Sequence, residues 1–331
     1  MCMPEVFFAL LLASSYTVHM LPLPAPATGG IYMDYLAYDA KTDLVWAPAG
    51  NTGAVDVVDA ATGKVTKIGD FATKEVKVRN GKRTFGPTSA TIGKGVVYIG
   101  NRADNKICAF DARTLTKRNC GEIDSMPDGL AYAALTNEVW VTAPRDKSLR
   151  ILDADTLHQK SKLTYEGNPE GFAVDGKRAR FYTNLEDKDK TLAIDLRSHR
   201  TIATWNPNCG SEGPHGIRVD ENSGFLFVAC SARAEVLDAA HNGEVLSSID
   251  TGDGVDDIDY APASHNLYVG AAKAAKLTIA KVDRKGKLSL EVGVPTHAGA
   301  RNGVVTKGGT VYLAHSGTEL SDLIVVSPHP K

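Results

Sequence analysis

A short phrase, apolar–aromatic–apolar followed by a small or polar residue, recurs seven times along this chain. It reads VWA around Trp46, VYI around Tyr98, VWV around Trp140, FYT around Tyr182, LFV around Phe227, LYV around Tyr268 and VYL around Tyr312. Successive aromatics lie about 41 to 45 residues apart, the period of a repeat built from four short strands. Only the first gap is longer, and the polar insert Lys74–Arg83 fills it. Such a repeat decides which loops share a face, and therefore which distant residues can meet.

Residues 168–208 show the unit plainly. Pro169-Glu170-Gly171 opens a strand ending near Asp175, Ala179–Asn184 is the second, Thr191–Asp195 the third and Thr201–Trp205 the fourth. Short β-branched and aromatic runs divided by Gly, Asp and Asn turns are the mark of antiparallel strands. The same order restarts at Pro87, Pro127 and Pro214, and without proline at Met33, Val255 and Ala300. Third strands end in a repeated aspartate: Asp59, Asp111, Asp153, Asp195 and Asp238. The last unit stops after its third strand, Leu323–Val326, and Thr17–Pro22 can supply the missing fourth. Closing a ring with strands from both termini removes open edges. The expectation is one all-β domain over 16–331, a seven-bladed β-propeller of four-stranded blades, with an N-terminal strand completing the last blade.

Hydrophobic residues make up 43% of the 331, ample for a core, and the net charge of −2 leaves no footprint for nucleic acid. No apolar run reaches the roughly 20 residues that span a bilayer. Val6–Ala13 is a short apolar run followed by small residues, so 1–15 reads as a truncated signal-like segment, although Glu5 stands where a basic start belongs. Five cysteines include Cys2 in that segment. The remaining even number, in a chain read as exported, favours disulfides over a zinc site, since no CxxC occurs.

Several phrases carry a resemblance: GNPEGFAVDGKRARFYTNLEDK, GPHGIRVDENSGFLFVAC, GDGVDDIDYAPASHNLYV and VPTHAGARNGVV. The chain from about Tyr16 onward resembles the YncE-like, YVTN-repeat seven-bladed propellers. That resemblance implies an exported bacterial protein, periplasmic or extracellular, and a disulfide between Cys209 and Cys230. Strand order agrees, because one precedes a first strand and the other ends a second, on the same rim. Two residues depart from the family pattern, His215 where Thr is common and His297 where Gln is frequent.

Within a four-stranded blade, the start of the first strand and the end of the second lie on one rim. His215, His297 and His315 therefore share a rim, whereas His158, His199, His241, His265 and His329 belong to the opposite one. The residues opening the first strands ring the channel mouth: Asp34, Thr88, Asp128, Glu170, His215, Asp256 and Arg301. Asn184, Glu186 and Asp187 reach the same rim. Carboxylates around a narrow opening repel one another unless a cation or firm hydrogen bonds compensate. One reading is a divalent metal site with His215, His297, Asp256, Glu170 and Asp128 as ligands, suited to zinc, manganese or iron, or to calcium if carboxylates alone bind. His315 or Asp34 then orients ligands or acts as base, and Arg301 steadies an anionic oxygen. The matching function is metal-assisted hydrolysis of an ester, lactone or phosphotriester in a small-molecule substrate at the channel mouth. The bland reading gives these acids structural roles, accepting backbone N–H bonds beside Arg301.

The other function class is a non-enzymatic platform for a protein, an envelope component or, less in keeping with the charge, nucleic acid. The basic insert Lys74, Lys77, Arg79, Lys82 and Arg83 would serve that role, or form a solvated loop. No GxSxG elbow, phosphate loop, HExxH or dinucleotide fingerprint occurs, which argues against serine-triad and nucleotide-dependent chemistry.

Overall fold

A computed structural model describes residues 15–24, 30–78, 81–316 and 321–329. The signal-like segment falls outside them, except for Ser15.

Seven four-stranded antiparallel sheets form the ring. Blade four runs Pro169–Asp175, Arg180–Leu185, Lys190–Asp195 and Thr201–Trp205, within a residue or two of the sequence reading. The Lys74–Arg83 insert is a separate two-stranded hairpin, Lys74–Val78 with Gly81–Phe85, between blades one and two. Blade seven takes its outer strand from the other end of the chain. Tyr16–Pro22 pairs antiparallel with Asp322–Pro328, from Tyr16 opposite Pro328 to Pro22 opposite Asp322.

Within each blade the middle strands are buried on both faces and the outer strand is half exposed. Phe225–Cys230 and Asn266–Ala271 are wholly buried, whereas Gln159–Thr164 alternates exposed and half-buried positions. The core is accordingly not central. Seven apolar clusters each join one blade to the next, including one that joins blade seven to blade one through Val304, Tyr312 and Leu323 against Ile31, Leu36 and Val45. The repeated aromatics fill these layers: Trp140 stacks on Phe181 at 4.5 Å and Phe227 meets Tyr260 at 4.4 Å.

The repeated aspartates have a local reason. Asp59, Asp111, Asp153, Asp195 and Asp238 each accept backbone N–H bonds from the residues two and three positions further along, within the following turn. They are turn caps of the kind short carboxylate side chains provide. Both cysteine pairs are bridged. Cys108 and Cys120 are direct cross-strand partners with Cα atoms 4.0 Å apart, and Cys209–Cys230 spans 5.2 Å.

Because Tyr16–Pro22 covers the edge of the last blade, deleting residues through Pro22 exposes a row of unpaired backbone groups. The expected result is a melting temperature lowered by several degrees and concentration-dependent association, read by calorimetry and light scattering. An unchanged melting temperature would contradict closure by this strand.

Candidate functional site at the channel mouth

First strands converge on the axis, so their opening residues surround a polar cavity of about 600 Å³. Asp34, Glu170, His215, Asp256 and Arg301 line it together, as the strand order requires. The loop ends add Glu186, Ser231 and Lys273. Asp128 lies in an adjoining recess of about 200 Å³, which shares Arg83, Arg102 and Glu170 with the main cavity.

Acidic repulsion is met by guanidinium groups and amides. Arg102 bridges Asp34, at 2.7 Å, and Asp128 through the same nitrogen. Arg301 reaches Asp256 at 3.1 Å. Asn302 then links two of these arginine-paired acids, donating to Asp34 Oδ1 at 3.1 Å and Asp256 Oδ2 at 2.9 Å, while its own oxygen accepts from Asp257 N. Burial pushes the Asp256 carboxyl up, and Arg301 offsets part of this. Below the mouth Tyr35 is buried against Phe172, with ring centres 5.1 Å apart. Deeper still, Arg218 pairs with Asp257 at 2.7 Å and Asp259 at 3.3 Å.

A second network spans blades four and five. Glu186 begins the short 3₁₀ turn Glu186–Lys188 after the second strand of blade four. Its Oε1 lies 3.2 Å from His215 Nδ1, and His215 Nε2 lies 3.2 Å from Ser231 Oγ. A carboxylate can only accept, so Nδ1 is the donor toward Glu186; in the neutral ring Nε2 then accepts from the serine hydroxyl. Ser231 follows Cys230, the last residue of the second strand of blade five, and its carbonyl accepts from the Gly254 and Val255 amides. Glu170 shares a hydrogen bond with Glu186. Burial first, then that bond and the charge of Glu186, push Glu170 well above the ordinary carboxyl range. The His215 bond holds Glu186 low. The two carboxyls are thus pushed in opposite directions, Glu170 up and Glu186 down.

Two glycines permit this approach. Gly171 has φ +68°, and a Cβ there would fall 2.2 Å from the His215 carbonyl. Gly213 has φ +71°, and a Cβ would fall 1.7 Å from the Glu186 carbonyl. Only glycine allows both the left-handed backbone and the contact.

The three rim histidines do not converge. His215 lines the cavity, but His297 and His315 do not. His297 is exposed, with its ring 5.8 Å from that of His315. His315 is buried, with Nδ1 bonded to Asp322 Oδ1 at 2.6 Å and Nε2 to the Ala298 carbonyl at 3.0 Å. Both its nitrogens are occupied, by Asp322 and the Ala298 carbonyl, so buried structural bonds stand where an orienting group or a base was expected. The expected ligand set is therefore divided: His297 lies outside the cavity, Asp128 and Asp256 have guanidinium partners, and the Glu170 carboxyl is pushed up by burial and by Glu186. Among the described residues no three His, Cys, Asp or Glu side chains form a group able to hold a metal ion. The donors do not fit a divalent ion as they stand.

No family model and no curated protein sequence matches this chain. Solved structures match along nearly its whole length. A chain of the mitotic checkpoint complex is 15% identical with a TM-score of 0.74, covering 99% of this chain and 96% of its own. Virginiamycin B lyase from Staphylococcus aureus is 14% identical at 0.72, covering 94% and 99%. Kuenenia stuttgartiensis hydrazine synthase is 12% identical at 0.71, covering 93% and 97%. At such identities the likeness is one of fold, and this chain is a seven-bladed β-propeller. No helix among the described residues is long and apolar enough to cross a membrane.

The raised Glu170 carboxyl has a consequence for stability. Between its value in the unfolded chain, about 4.3, and its higher folded value, the folded protein holds a proton that the unfolded chain lacks. Stability then falls as pH rises through that window. Glu170→Gln removes this titration, so the melting temperature of the variant relative to wild type is expected to climb from pH 4 to pH 8. Parallel melting curves would show that Glu170 carries no such proton.

Proposed function

We propose that the channel mouth is an acyl-transfer site, with Ser231 as nucleophile, His215 as general base and Glu186 as the group that orients it. The observation that carries this reading is the Ser231–His215–Glu186 chain, with two 3.2 Å contacts in the wall of a cavity. This departs from the sequence expectation, in which the missing GxSxG elbow counts against a serine triad. Triads are recognised by geometry rather than by chain order or a local motif, and the contacts among Ser231, His215 and Glu186 outweigh that absence. Ser231 Oγ attacks the acyl carbon of an ester or lactone and passes its proton to His215 Nε2. His215 returns that proton to the leaving alkoxide, and Glu186 stays ionised throughout, facing the imidazolium. Water then attacks the acyl-serine, again losing its proton to His215, which gives it back to Ser231 as the acid departs. Lys273, packed against Gly254 beside Ser231, is assigned to the developing oxyanion.

The substrate classes are the esters and lactones expected from the sequence, and each proton is carried by the chain's own residues. The repeat phrases and the Cys209–Cys230 bridge support membership of the YncE-like group, and two disulfides support export to an oxidising compartment. The propeller neighbours include a lyase, a synthase and a checkpoint-complex chain, so the fold favours neither catalysis nor docking.

A fluorophosphonate probe is expected to label Ser231, located by peptide mass spectrometry. Hydrolysis of p-nitrophenyl esters should fall by on the order of 10³-fold or more in Ser231→Ala and His215→Ala, and should be indifferent to chelator. Activity abolished by chelator would restore the metal reading. Absence of both labelling and turnover would leave the mouth as a binding platform.

A further inference from the structure

The insert hairpin turns its last basic residue inward. The Arg83 guanidinium lies 4.6 Å over the Tyr32 ring and 5.4 Å from the Phe85 ring, while Arg145 lies 5.2 Å from that same Phe85 ring. Arg83 Nε is buried and meets no acceptor among the described residues. Burial, followed by the charge of Arg102, holds the Arg83 guanidinium below its ordinary range. Arg102 is committed to Asp34 and Asp128, but neither Arg83 nor Arg145 has a carboxylate partner among the described residues. A half-buried guanidinium with a buried, unpartnered Nε, lying near two others, is favoured by an anion that joins it. These groups line the recess of about 200 Å³ that opens beside the main cavity.

We propose that this recess is an oxyanion subsite, in which Arg83 and Arg145 hold the carboxylate or phosphate group of a small-molecule ligand whose remainder extends into the mouth. Planar guanidinium groups stacked on aromatic rings are pre-organised for two-pronged contact with such oxyanions. The recess is the size of a headgroup rather than of a whole ligand, and the larger cavity takes the rest. The proposal depends on the mouth being a ligand site, not on the acyl chemistry at Ser231. It makes the insert a specificity element, selecting anionic substrates over neutral ones.

Titration calorimetry of the full chain at fixed low ionic strength, with inorganic phosphate and with succinate, tests it. At least one probe is expected to bind one-to-one, and the tighter of the two names the source of the oxyanion. Arg83→Gln and Arg145→Gln should each weaken that binding about 10-fold or more, the range for a charge-assisted hydrogen bond. Lys82→Gln should not change it, because Lys82 pairs with Glu75 at 2.6 Å on the hairpin surface. Arg145 is exposed, so Arg145→Gln carries the test even if Arg83→Gln fails to fold. No saturable binding of either probe, or wild-type affinity in the foldable variants, overturns the subsite. Ser231→Ala should bind the probes normally. Probe binding without ester turnover would therefore remove only the acyl reading, and turnover without probe binding only the subsite.

Discussion

Closure of the ring by the two chain ends is the interaction on which the remaining structure depends. Among the described residues each of the seven apolar clusters is shared between neighbouring blades rather than held within one. An open ring would leave two apolar faces in water, one on blade one and one on blade seven, as well as an unpaired edge. Tyr16–Pro22 against Asp322–Pro328 removes the edge, and the layer joining blades seven and one removes the faces. The same closure brings first strands to the axis. Asp34 and Asn302, from opposite ends of the chain, are hydrogen-bonded only because the ring is shut.

Convergence creates an electrostatic problem that the mouth solves in two ways. On one side, acids are neutralised pairwise by Arg102 and Arg301, with Asn302 as a neutral link. On the other side Glu170 and Glu186 have no guanidinium ion pair among the described residues; burial and Glu186 push the Glu170 carboxyl up, and His215 holds Glu186 low. This contrast sets the wall between blades four and five, which also bears Ser231, apart from the arginine-paired side.

Parts of this site were legible before any coordinates. The first-strand openings Asp34, Glu170, His215, Asp256 and Arg301 occupy equivalent repeat positions, and the cavity gathers all five. His215 also stood out from the residues expected at its position. Ser231 was missed because nothing around it resembles a nucleophile motif; its only signal is that it directly follows Cys230, on the rim that also bears His215. Arg83 was read as one of a surface run, since a charge pattern cannot say that a hairpin turns one of its members over an aromatic ring. His315 was placed on the correct rim, yet its nitrogens are spent on Asp322 and the Ala298 carbonyl.

What the amino-acid order alone determined is whatever repeats: blade number, strand phase, turn caps and the rim on which each residue falls. These follow from alternation along a strand and from turn chemistry, both local properties with a short period. Tertiary structure alone decided the pairings between blades: which acid meets arginine, which meets another acid, and which histidine faces a serine. Such contacts depend on the angle between neighbouring sheets and on two glycines thin enough to let backbones touch. No spacing in a single chain records that angle, and so the chemistry of the mouth became readable only once the blades were set side by side.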